Sequence, residues 1–432
     1  MVASPHALAS EAGVAALRRG GNALDAAVAT AATIAVVYPH MNGVGGDSFW
    51  LIYDARCARL LGLDASGRSA ARADLAAYAC HGAHIPPRGG AAALTVPGAV
   101  SGWWEVHRYS RDTMKSASRW SALLEHAIAR AREGIAVSAG QRRVTLSAAA
   151  APLFAATAPA EVQRTLWPSY APVRLDGDRF VQRELAETLA EIAAGGGDEF
   201  YRGRLGQRIA DGAAACGSPL RHDDFVAHRA DWVEPLRVPY RGGEAASFPP
   251  PTQGVAALAI LALLEGFDVG ALDDADYIHV VVEATKLAFE DRDRYLTDPA
   301  FAEIPVARCL DPARLARRRA GIRLGAARPS DGPPADGDTV ALVTADKQGN
   351  AVCVIQSLYH EFGAGIVAGD TGVLLQNRGA FFSLDPVHPN RLAPRKRTAH
   401  TLIPSMYLMD GRPRFVTARW EARASRRPRP RF

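Results

Sequence analysis

The strongest constraint on the fold of this 432-residue chain is an abrupt change of pattern at Thr339. Residues 324–338, LGAARPSDGPPADGD, are dominated by proline, glycine and aspartate and have no apolar period, which predicts a flexible loop or linker. TVALVTAD follows at once, and AVCVIQSL follows after a KQGN turn. The alternating apolar residues of both stretches predict a β-hairpin, so Thr339 stands where a loop meets the first strand of a β-rich segment.

The segments before this junction are predicted to be mainly helical. Residues 6–21 and 22–40 predict two helices, of which the second is almost wholly small or apolar and therefore buried. The glycine-rich turn at 43–46 leads into a predicted strand at 49–53 instead of opening a helix. These glycines are therefore expected to permit close backbone approach, not to hold a phosphate.

The remaining elements follow the same patterns along the chain. Residues 97–320 are predicted to be mainly helical, including two long helices in GVAALAILALLEGFD and DADYIHVVVEATKLAFEDRDRYLTDP. After the hairpin, GIVAGDTGVLLQN and TLIPSMYLMDGRPRFVT are predicted to continue the sheet.

Composition and targeting signals point to a cytoplasmic globular protein. The 22% charged and 48% hydrophobic content is ordinary for one to three soluble domains. The N-terminus lacks the pattern of a signal peptide, and the most apolar stretch, residues 26–38, is shorter than the ~20 residues that cross a bilayer. The five scattered cysteines predict free buried thiols, with no disulfide framework and no metal site.

The net charge of +5 lies entirely in the last 15 residues, ARWEARASRRPRPRF, which hold six arginines and one glutamate. Residues 1–417 are therefore neutral overall, so the basic balance does not predict a nucleic-acid surface on the body of the protein.

The position of Thr339 at this junction would suit it to act as an N-terminal nucleophile. If the peptide bond between Asp338 and Thr339 were cut, Thr339 would become an N-terminal residue at a strand end. Its α-amine, with a pKa of about 8, could then act as general base for its own hydroxyl group. A threonine at the start of a strand is also ordinary β-propensity, so the pattern alone leaves both interpretations open.

Over nearly its whole length to residue 417, the chain resembles the γ-glutamyltranspeptidase family of N-terminal nucleophile hydrolases, with several long motifs in the same order. The matching stretches are MVASPHALASEAGVAALRRGGNALDAAVA, YPHMNGVGGDSFWLIYD, TVPGAVSGW, GGDEFYRG, PPPTQGVAALAIL, DTVALVTADKQGNAV and FGAGIVAGDTGVLLQNRG.

The resemblance implies an α+β protein with a four-layer αββα sandwich, made as an inactive precursor that cuts itself before Thr339. A large segment, 1–338, and a small segment, 339–417, would remain together as a heterodimer or within a higher oligomer. The implied partner is a small-molecule amide substrate. No cofactor, nucleic acid or membrane is expected.

The resemblance also assigns roles to individual residues. Ser357 takes the place of the family's second hydroxyl residue, which binds the amine of the nucleophile. Arg68, in LDASGRSAA, takes the place of the arginine that grips a substrate carboxylate, and a surface arginine is the alternative. The aspartate that holds the α-ammonium of γ-glutamyl substrates is replaced by Phe381, which cannot pair with that charge.

Further departures are similar to the amidohydrolase and acylase branches of the family, including enzymes like oxamate amidohydrolase. Tyr359 replaces a typical asparagine, and His400 with Thr401 replaces a pair of serines. The substrate-binding candidates are therefore Arg68, Tyr359, His360, Asn377, Arg378, His400 and Thr401. Arg378 would add a second positive charge for a small dianionic or oxo-acid substrate. His360 with Glu361 is predicted either to form a polar cluster over the pocket or to be a satisfied loop histidine beside a surface acid.

The resemblance ceases after residue 417, where the family has a further strand and a glycine pair that helps to form the oxyanion hole. Residues 418–432 form a divergent arginine-rich tail, interpreted as a shifted reading frame, with a nucleic-acid tail as the alternative. The C-terminal part of the sandwich is expected to be incomplete. This predicts a chain that matures poorly or is weakly active, and a non-catalytic binding protein is the alternative function.

Overall fold

The computed structural model describes residues 1–147, 150–170, 177–329 and 339–420. The helices are α1 Ala7–Arg18, α2 Ala23–Val37, α3 Ala99–Asp112, α4 Trp120–Glu133, α5 Ala139–Thr145, α6 Ala160–Thr165, α7 Trp167–Tyr170, α8 Arg183–Gly195, α9 Gly197–Tyr201, α10 Arg204–Ala215, α11 His222–Ala227, α12 Gly254–Leu264, α13 Asp274–Tyr295, α14 Val306–Cys309 and α15 Pro312–Arg319. The strands are β1 Val2–Ala3, β2 Asp47–Asp54, β3 Arg59–Ala65, β4 Ile135–Ala136, β5 Arg179–Phe180, β6 Asp231–Val233, β7 Leu236–Tyr240, β8 Gly243–Ser247, β9 Val340–Ala345, β10 Ala351–Ser357, β11 Leu402–Met409 and β12 Arg412–Trp420.

Two sheets form the middle layers of the molecule. The six-stranded sheet has the order β1-β9-β10-β2-β3-β6, and the four-stranded sheet has the order β12-β11-β8-β7. Their facing sides share one apolar core, to which Phe49, Ile355, Phe248 and Met406 contribute. The two sheets are therefore stacked face to face.

Helices cover the outer face of each sheet. α2 lies under the six-stranded sheet within the largest core, and every one of its residues is buried, which explains its almost uniformly apolar sequence. Asn22 caps this helix by accepting hydrogen bonds from the Leu24 and Asp25 amides, and the Asp25 carboxylate binds the Asn22 amide in return. On the other side, α12 packs against the four-stranded sheet and against α13. The result is the four-layer αββα sandwich that the family resemblance implied.

The described part of 97–320 is mainly helical, as predicted, although it also contains the short strands β4 to β8. Two other predictions of secondary structure are corrected. GIVAGDTGVLLQN forms no strand and contributes only isolated bridges such as Val367 to Leu374. β11 and β12 do form a strand pair, but they belong to the four-stranded sheet and do not continue the sheet of β9 and β10.

The glycine turn at 43–46 confirms the prediction of close backbone approach. A Cβ atom on Gly45 would lie 2.1 Å from the Leu374 carbonyl oxygen, and one on Gly46 would lie 2.4 Å from the Ser357 carbonyl oxygen. Side chains at these two positions would therefore force the backbone apart.

The five cysteines are unpaired, as predicted, but Cys57 and Cys80 are exposed, which corrects the expectation that all are buried. None of the helices in the described ranges has the length and apolar character that a membrane span requires.

Candidate active site

Thr339 lies at the end of three hydrogen-bonded strands. The register of β9 with β10 pairs Val340 with Gln356, so Thr339 is the next residue outward, opposite Ser357. Ser357 in turn pairs with Asp47 at the start of β2. Thr339 is 9% exposed, so only a small part of its surface contacts solvent.

The side chains of this row point between the two sheets. Along each strand, alternate residues share a face, and the core between the sheets includes Phe49 of β2 and Ile355 of β10. Asp47 and Ser357 lie two residues from these and share their face, and Thr339 shares the face of Ala341 in the same way. The row therefore sits at one end of the space between the two sheets.

Ser357 is fixed by the loop that follows its strand. Its hydroxyl oxygen accepts a 2.9 Å hydrogen bond from the Tyr359 amide. Tyr359 has a φ of 83°, which is uncommon and strained for a residue with a side chain. This conformation directs the Tyr359 ring against the His360 ring, with centroids 4.2 Å apart, and beneath the guanidinium of Arg378.

Arg378 carries a positive charge into the interior of the site. It is 1% exposed, its central carbon lies 4.0 Å from the Tyr359 ring centroid, and its Nη1 donates to the Thr401 hydroxyl at 3.3 Å. Its Nε has no partner among the residues that the structure describes. Burial lowers the pKa of Arg378 to about 10, so it remains protonated at neutral pH. A buried cation of this kind is costly unless an anion binds to it.

Asp47 and His400 form a second buried pair at the same end of the sheets. The Asp47 Oδ1 atom accepts hydrogen bonds from the Gly67 amide at 2.9 Å and from the Gln376 side chain at 2.9 Å. The Oδ2 atom lies 3.5 Å from His400 Nε2. Burial raises the pKa of Asp47 to about 7, while burial and then the charge of Arg378 hold the pKa of His400 well below its usual value.

His360 and Asn377 stabilise the loop around Tyr359. The Asn377 side chain accepts from the His360 amide at 3.0 Å, and its Nδ2 lies 2.9 Å from His360 Nδ1. Burial, and then the nearby Arg88 and Arg378, lower the pKa of His360 to about 4, so its ring is neutral at physiological pH. Glu361 lies 3.9 Å from Arg88 and its side chain is only 13% exposed, so it is not a surface acid. Of the two interpretations of this pair, the satisfied loop histidine agrees with these contacts.

Arg68 forms its ion pair outside this group. Its Nη2 is 3.1 Å from Asp231, a carboxylate that also binds Arg397 at 2.7 Å, and its side chain is one-third exposed. Its role toward a substrate therefore stays a prediction. Asp338, the other side of the predicted cleavage site, lies outside the described residues, as do residues 421–432 of the tail.

A second cleft, of about 310 Å³, contains a serine–histidine pair that competes for the role of nucleophile and base. Ser101 Oγ lies 2.9 Å from His228 Nε2, and the cleft contains neither Thr339 nor Ser357. However, the Ser101 hydroxyl is also 2.7 Å from the Gly98 carbonyl, to which it donates, and burial lowers the pKa of His228 to about 3. Since the single hydroxyl proton of Ser101 is donated to the Gly98 carbonyl, His228 is not placed to take it, and His228 Nδ1 has no orienting partner in the described structure.

The structure thus joins most of the predicted residues in one site. Ser357, Tyr359, His360, Asn377, Arg378 and Thr401 are linked by direct contacts, and His400 precedes Thr401. Sequence reasoning missed Asp47 and Gln376. A signal for Asp47 was available, because GGDSFWLIYD places an aspartate directly before a buried strand, where an ionised side chain is costly.

A stacked pair of sheets between helical layers, with a threonine at the start of a central strand beside a second hydroxyl residue, defines an N-terminal nucleophile hydrolase. The chain belongs to the γ-glutamyltranspeptidase family, because the family model described as "Gamma-glutamyltranspeptidase" matches residues 9–418.

Individual relatives carry several activities in their names. The oxamate amidohydrolase proenzyme of Klebsiella pneumoniae subsp. pneumoniae is 45% identical over 95% of this chain and 77% of its own length. The glutathione hydrolase-like YwrD proenzyme of Bacillus subtilis is also 45% identical, over 96% of this chain and 77% of its own. The crystal structure of a cephalosporin acylase from Bacillus halodurans superposes with a TM-score of 0.87 at 36% identity, covering 95% of this chain and 75% of that one.

Proposed function

We propose that this protein is an amide hydrolase that cuts itself before Thr339 and then hydrolyses a small amide carrying a carboxylate, by way of an acyl-enzyme on Thr339. The observation that carries the substrate class is Arg378, a buried guanidinium with an unpartnered Nε beside Thr401 in the described part of the chain. A carboxylate that accepts hydrogen bonds from this group would compensate the cost of burying its charge.

The proposed chemistry uses groups of Thr339 itself. After cleavage, residues 339–417 form the small segment and the α-amine of Thr339 is free. This amine takes the hydroxyl proton as the oxygen attacks the amide carbonyl, and it passes the proton to the leaving nitrogen as the carbon–nitrogen bond breaks. Water then attacks the ester, giving the free acid and restoring the hydroxyl. Ser357, opposite Thr339 in the strand register, would orient the amine.

The surroundings of Arg378 favour a carboxylate without an adjacent α-ammonium. Phe381 packs edge-on against the Tyr359 ring, with centroids 5.8 Å apart and an angle of 70° between the rings. Neither of these two aromatic rings can form an ion pair with an ammonium group, and leaving the α-ammonium of a substrate unpaired there would cost several kcal/mol. Small oxo-acid amides such as oxamate, the substrate in the name of one 45% identical relative, fit this arrangement better than γ-glutamyl compounds.

Two assays test the proposal. Purified protein is separated by gel electrophoresis and the fragments are sequenced from their N-termini, with Thr339→Ala as the uncut control. Oxamate, a glutaryl amide and a γ-glutamyl anilide are then compared as substrates. Fragments beginning at residues 1 and 339 with preference for oxamate or the glutaryl amide support the proposal. An uncut chain without turnover favours the alternative of a binding protein, and strong turnover of the γ-glutamyl anilide contradicts the inference from Phe381.

A further inference from the structure

Asp47 and Arg378 are opposite charges buried in one site without a hydrogen bond between them in the described structure. Asp47 is fully buried and Arg378 is 1% exposed. Two adjacent residues bring these groups together, because His400 Nε2 lies 3.5 Å from Asp47 Oδ2 and Arg378 Nη1 donates to the Thr401 hydroxyl at 3.3 Å. The attraction between the two charges opposes the effect of burial on the pKa of each. Asp47 is therefore the counter-charge of Arg378 at longer range, which leaves the guanidinium available to a ligand.

The two oxygen atoms of Asp47 have different surroundings. Oδ1 accepts three hydrogen bonds, from the Gly67 amide, the Gly98 amide and the Gln376 side chain, at distances of 2.9, 3.2 and 2.9 Å. Oδ2 has the long 3.5 Å contact with His400 Nε2. The geometry at Oδ2 suits both charge states, because the ring can donate to the carboxylate, or its other tautomer can accept from a protonated Oδ2.

We propose that Asp47 is a positioning residue that balances the charge of Arg378 before substrate binds and takes up one proton from solvent when a substrate carboxylate binds to Arg378. The inference rests on the proposed function, because it requires an anion at Arg378. Two carboxylates that share one guanidinium in a buried site repel each other, so the arriving anion favours the neutral form of Asp47. Oδ1 keeps its three donors throughout, and the proton is held on Oδ2.

Other titratable groups near Asp47 do not serve as the proton acceptor. The pKa of His400 is depressed by burial and then by Arg378, so its ring stays neutral. Tyr201, whose pKa is raised by burial, is already protonated. Asp64 on β3 lies 3.7 Å from Arg397, and its part is tested by substitution below. The α-amine that cleavage would create at Thr339 is the remaining competitor, and the experiment must separate it from Asp47.

The test is calorimetric titration of the processed enzyme with oxalate, which carries two carboxylates and has no proton to release near neutral pH. At each pH, titrations in two buffers of different ionisation enthalpy that are not small oxyanions, HEPES and Tris near pH 8 and MES and imidazole near pH 6, give the number of protons taken up per oxalate bound. We expect between about half and one proton near pH 8, and less than about one fifth near pH 6, where Asp47 is already mostly protonated. Oxalate binding without proton uptake at either pH overturns the inference and leaves the proposed hydrolase intact.

Two variants show which group takes up the proton when oxalate binds. Asp47→Asn keeps an acceptor for the Gly67 and Gly98 amides and should abolish uptake near pH 8 while oxalate still binds. Asp64 is a buried acid on the neighbouring strand with its own cation, and the Asp64→Asn variant should retain proton uptake near pH 8. Uptake that persists in Asp47→Asn comes from the Thr339 amine and overturns the inference. Failure of oxalate to bind the wild-type enzyme overturns it too, and turnover of oxamate in the same preparation shows whether the proposed function fails with it. If Asp47→Asn does not fold, a titration of the wild type near pH 7 decides. Asp47 would take up about half a proton there, whereas the Thr339 amine, with a pKa of about 8, would take up only about one tenth.

Discussion

Replacing Asp47 by asparagine should change how the stability of the protein depends on pH. Asp47 is fully buried, and burial raises its pKa from 3.8 to about 7. A carboxyl group whose pKa is higher in the folded than in the unfolded state binds more protons when folded. Its contribution to stability is therefore present below about pH 4 and is lost as the pH rises toward 7.

The size of this change in stability follows from the ordinary and the folded-state pKa of Asp47. The interval from 3.8 to about 7, at about 1.36 kcal/mol for each pH unit, gives an upper limit of about 4 kcal/mol. The asparagine side chain of the Asp47→Asn variant has no charge to bury and keeps the oxygen that accepts from the Gly67 and Gly98 amides. The free energy of unfolding of Asp47→Asn minus that of the reference should therefore increase by up to about 4 kcal/mol between about pH 4 and pH 8.

The assay is urea unfolding followed by tryptophan fluorescence, with both proteins in a Thr339→Ala background so that each remains a single chain. Differences in midpoint at equal denaturant slope report the difference in stability. Buried histidines such as His40 and His228 also make stability depend on pH, but they are common to both proteins and cancel to first order. A difference that stays flat, or that falls as the pH rises, would show that folding does not raise the pKa of Asp47 and would contradict this prediction.

Three further predictions concern the nucleophile, the substrate and the backbone. Ser357→Ala should slow self-cleavage and turnover by about tenfold, the worth of about one hydrogen bond, whereas Ser357→Thr, which keeps a hydroxyl, should retain most of both in timed gel and substrate assays. Arg378→Gln should raise KM for oxamate by about 10- to 100-fold, because it removes charge-assisted hydrogen bonds worth about 1.5 to 3 kcal/mol, and a KM equal to wild type would exclude Arg378 from carboxylate binding. Gly46→Ala should cost about 2 kcal/mol or more by thermal unfolding, because its Cβ would lie 2.4 Å from the Ser357 carbonyl oxygen, whereas Gly43→Ala, whose Cβ meets nothing closer than 3.6 Å, should be nearly neutral.

The parts of the fold with a strong local pattern could be predicted from sequence. β9 and β10 alternate apolar residues around a polar turn, and both strands form where the pattern places them. α2 begins at an asparagine cap and is apolar on all sides, which its complete burial explains. In these elements, local propensity and tertiary packing favour the same structure.

The missed strands depend on partners that are distant in the chain. β8, with the sequence GEAAS, has little strand propensity of its own and is stabilised by pairing with β11, some 160 residues later. GIVAGDTGVLLQN looks like a strand but cannot form one, because Gly369 and Gly372 adopt φ values of 56° and 66°. Neither the pairing of β8 with β11 nor the positive φ values of Gly369 and Gly372 can be predicted from the periodicity of the sequence.

In the candidate site, too, residues within local motifs could be predicted and residues that depend on distant contacts could not. The resemblance to a known family predicts Thr339 and Ser357 as site residues because their neighbours form long motifs, and Arg378 is a candidate because it follows Asn377 and adds a positive charge. Asp47 was missed because its role depends on Arg378 and His400, which are more than 300 residues away in sequence and meet it only between the two sheets. The placement of Arg68 on Asp231 likewise depends on a contact across 163 residues.

Thr339 is proposed to become the N-terminal nucleophile of an amide hydrolase. The most direct test is mass spectrometry of the purified protein, before and after brief exposure to a glutaryl ester or to oxamate with rapid acid quenching. We expect a fragment beginning at Thr339 that gains the mass of the acyl group at that residue, and an uncut, unlabelled chain in Thr339→Ala. A mature protein that turns over substrate as a single uncut chain, or with the acyl group on another residue, would contradict it.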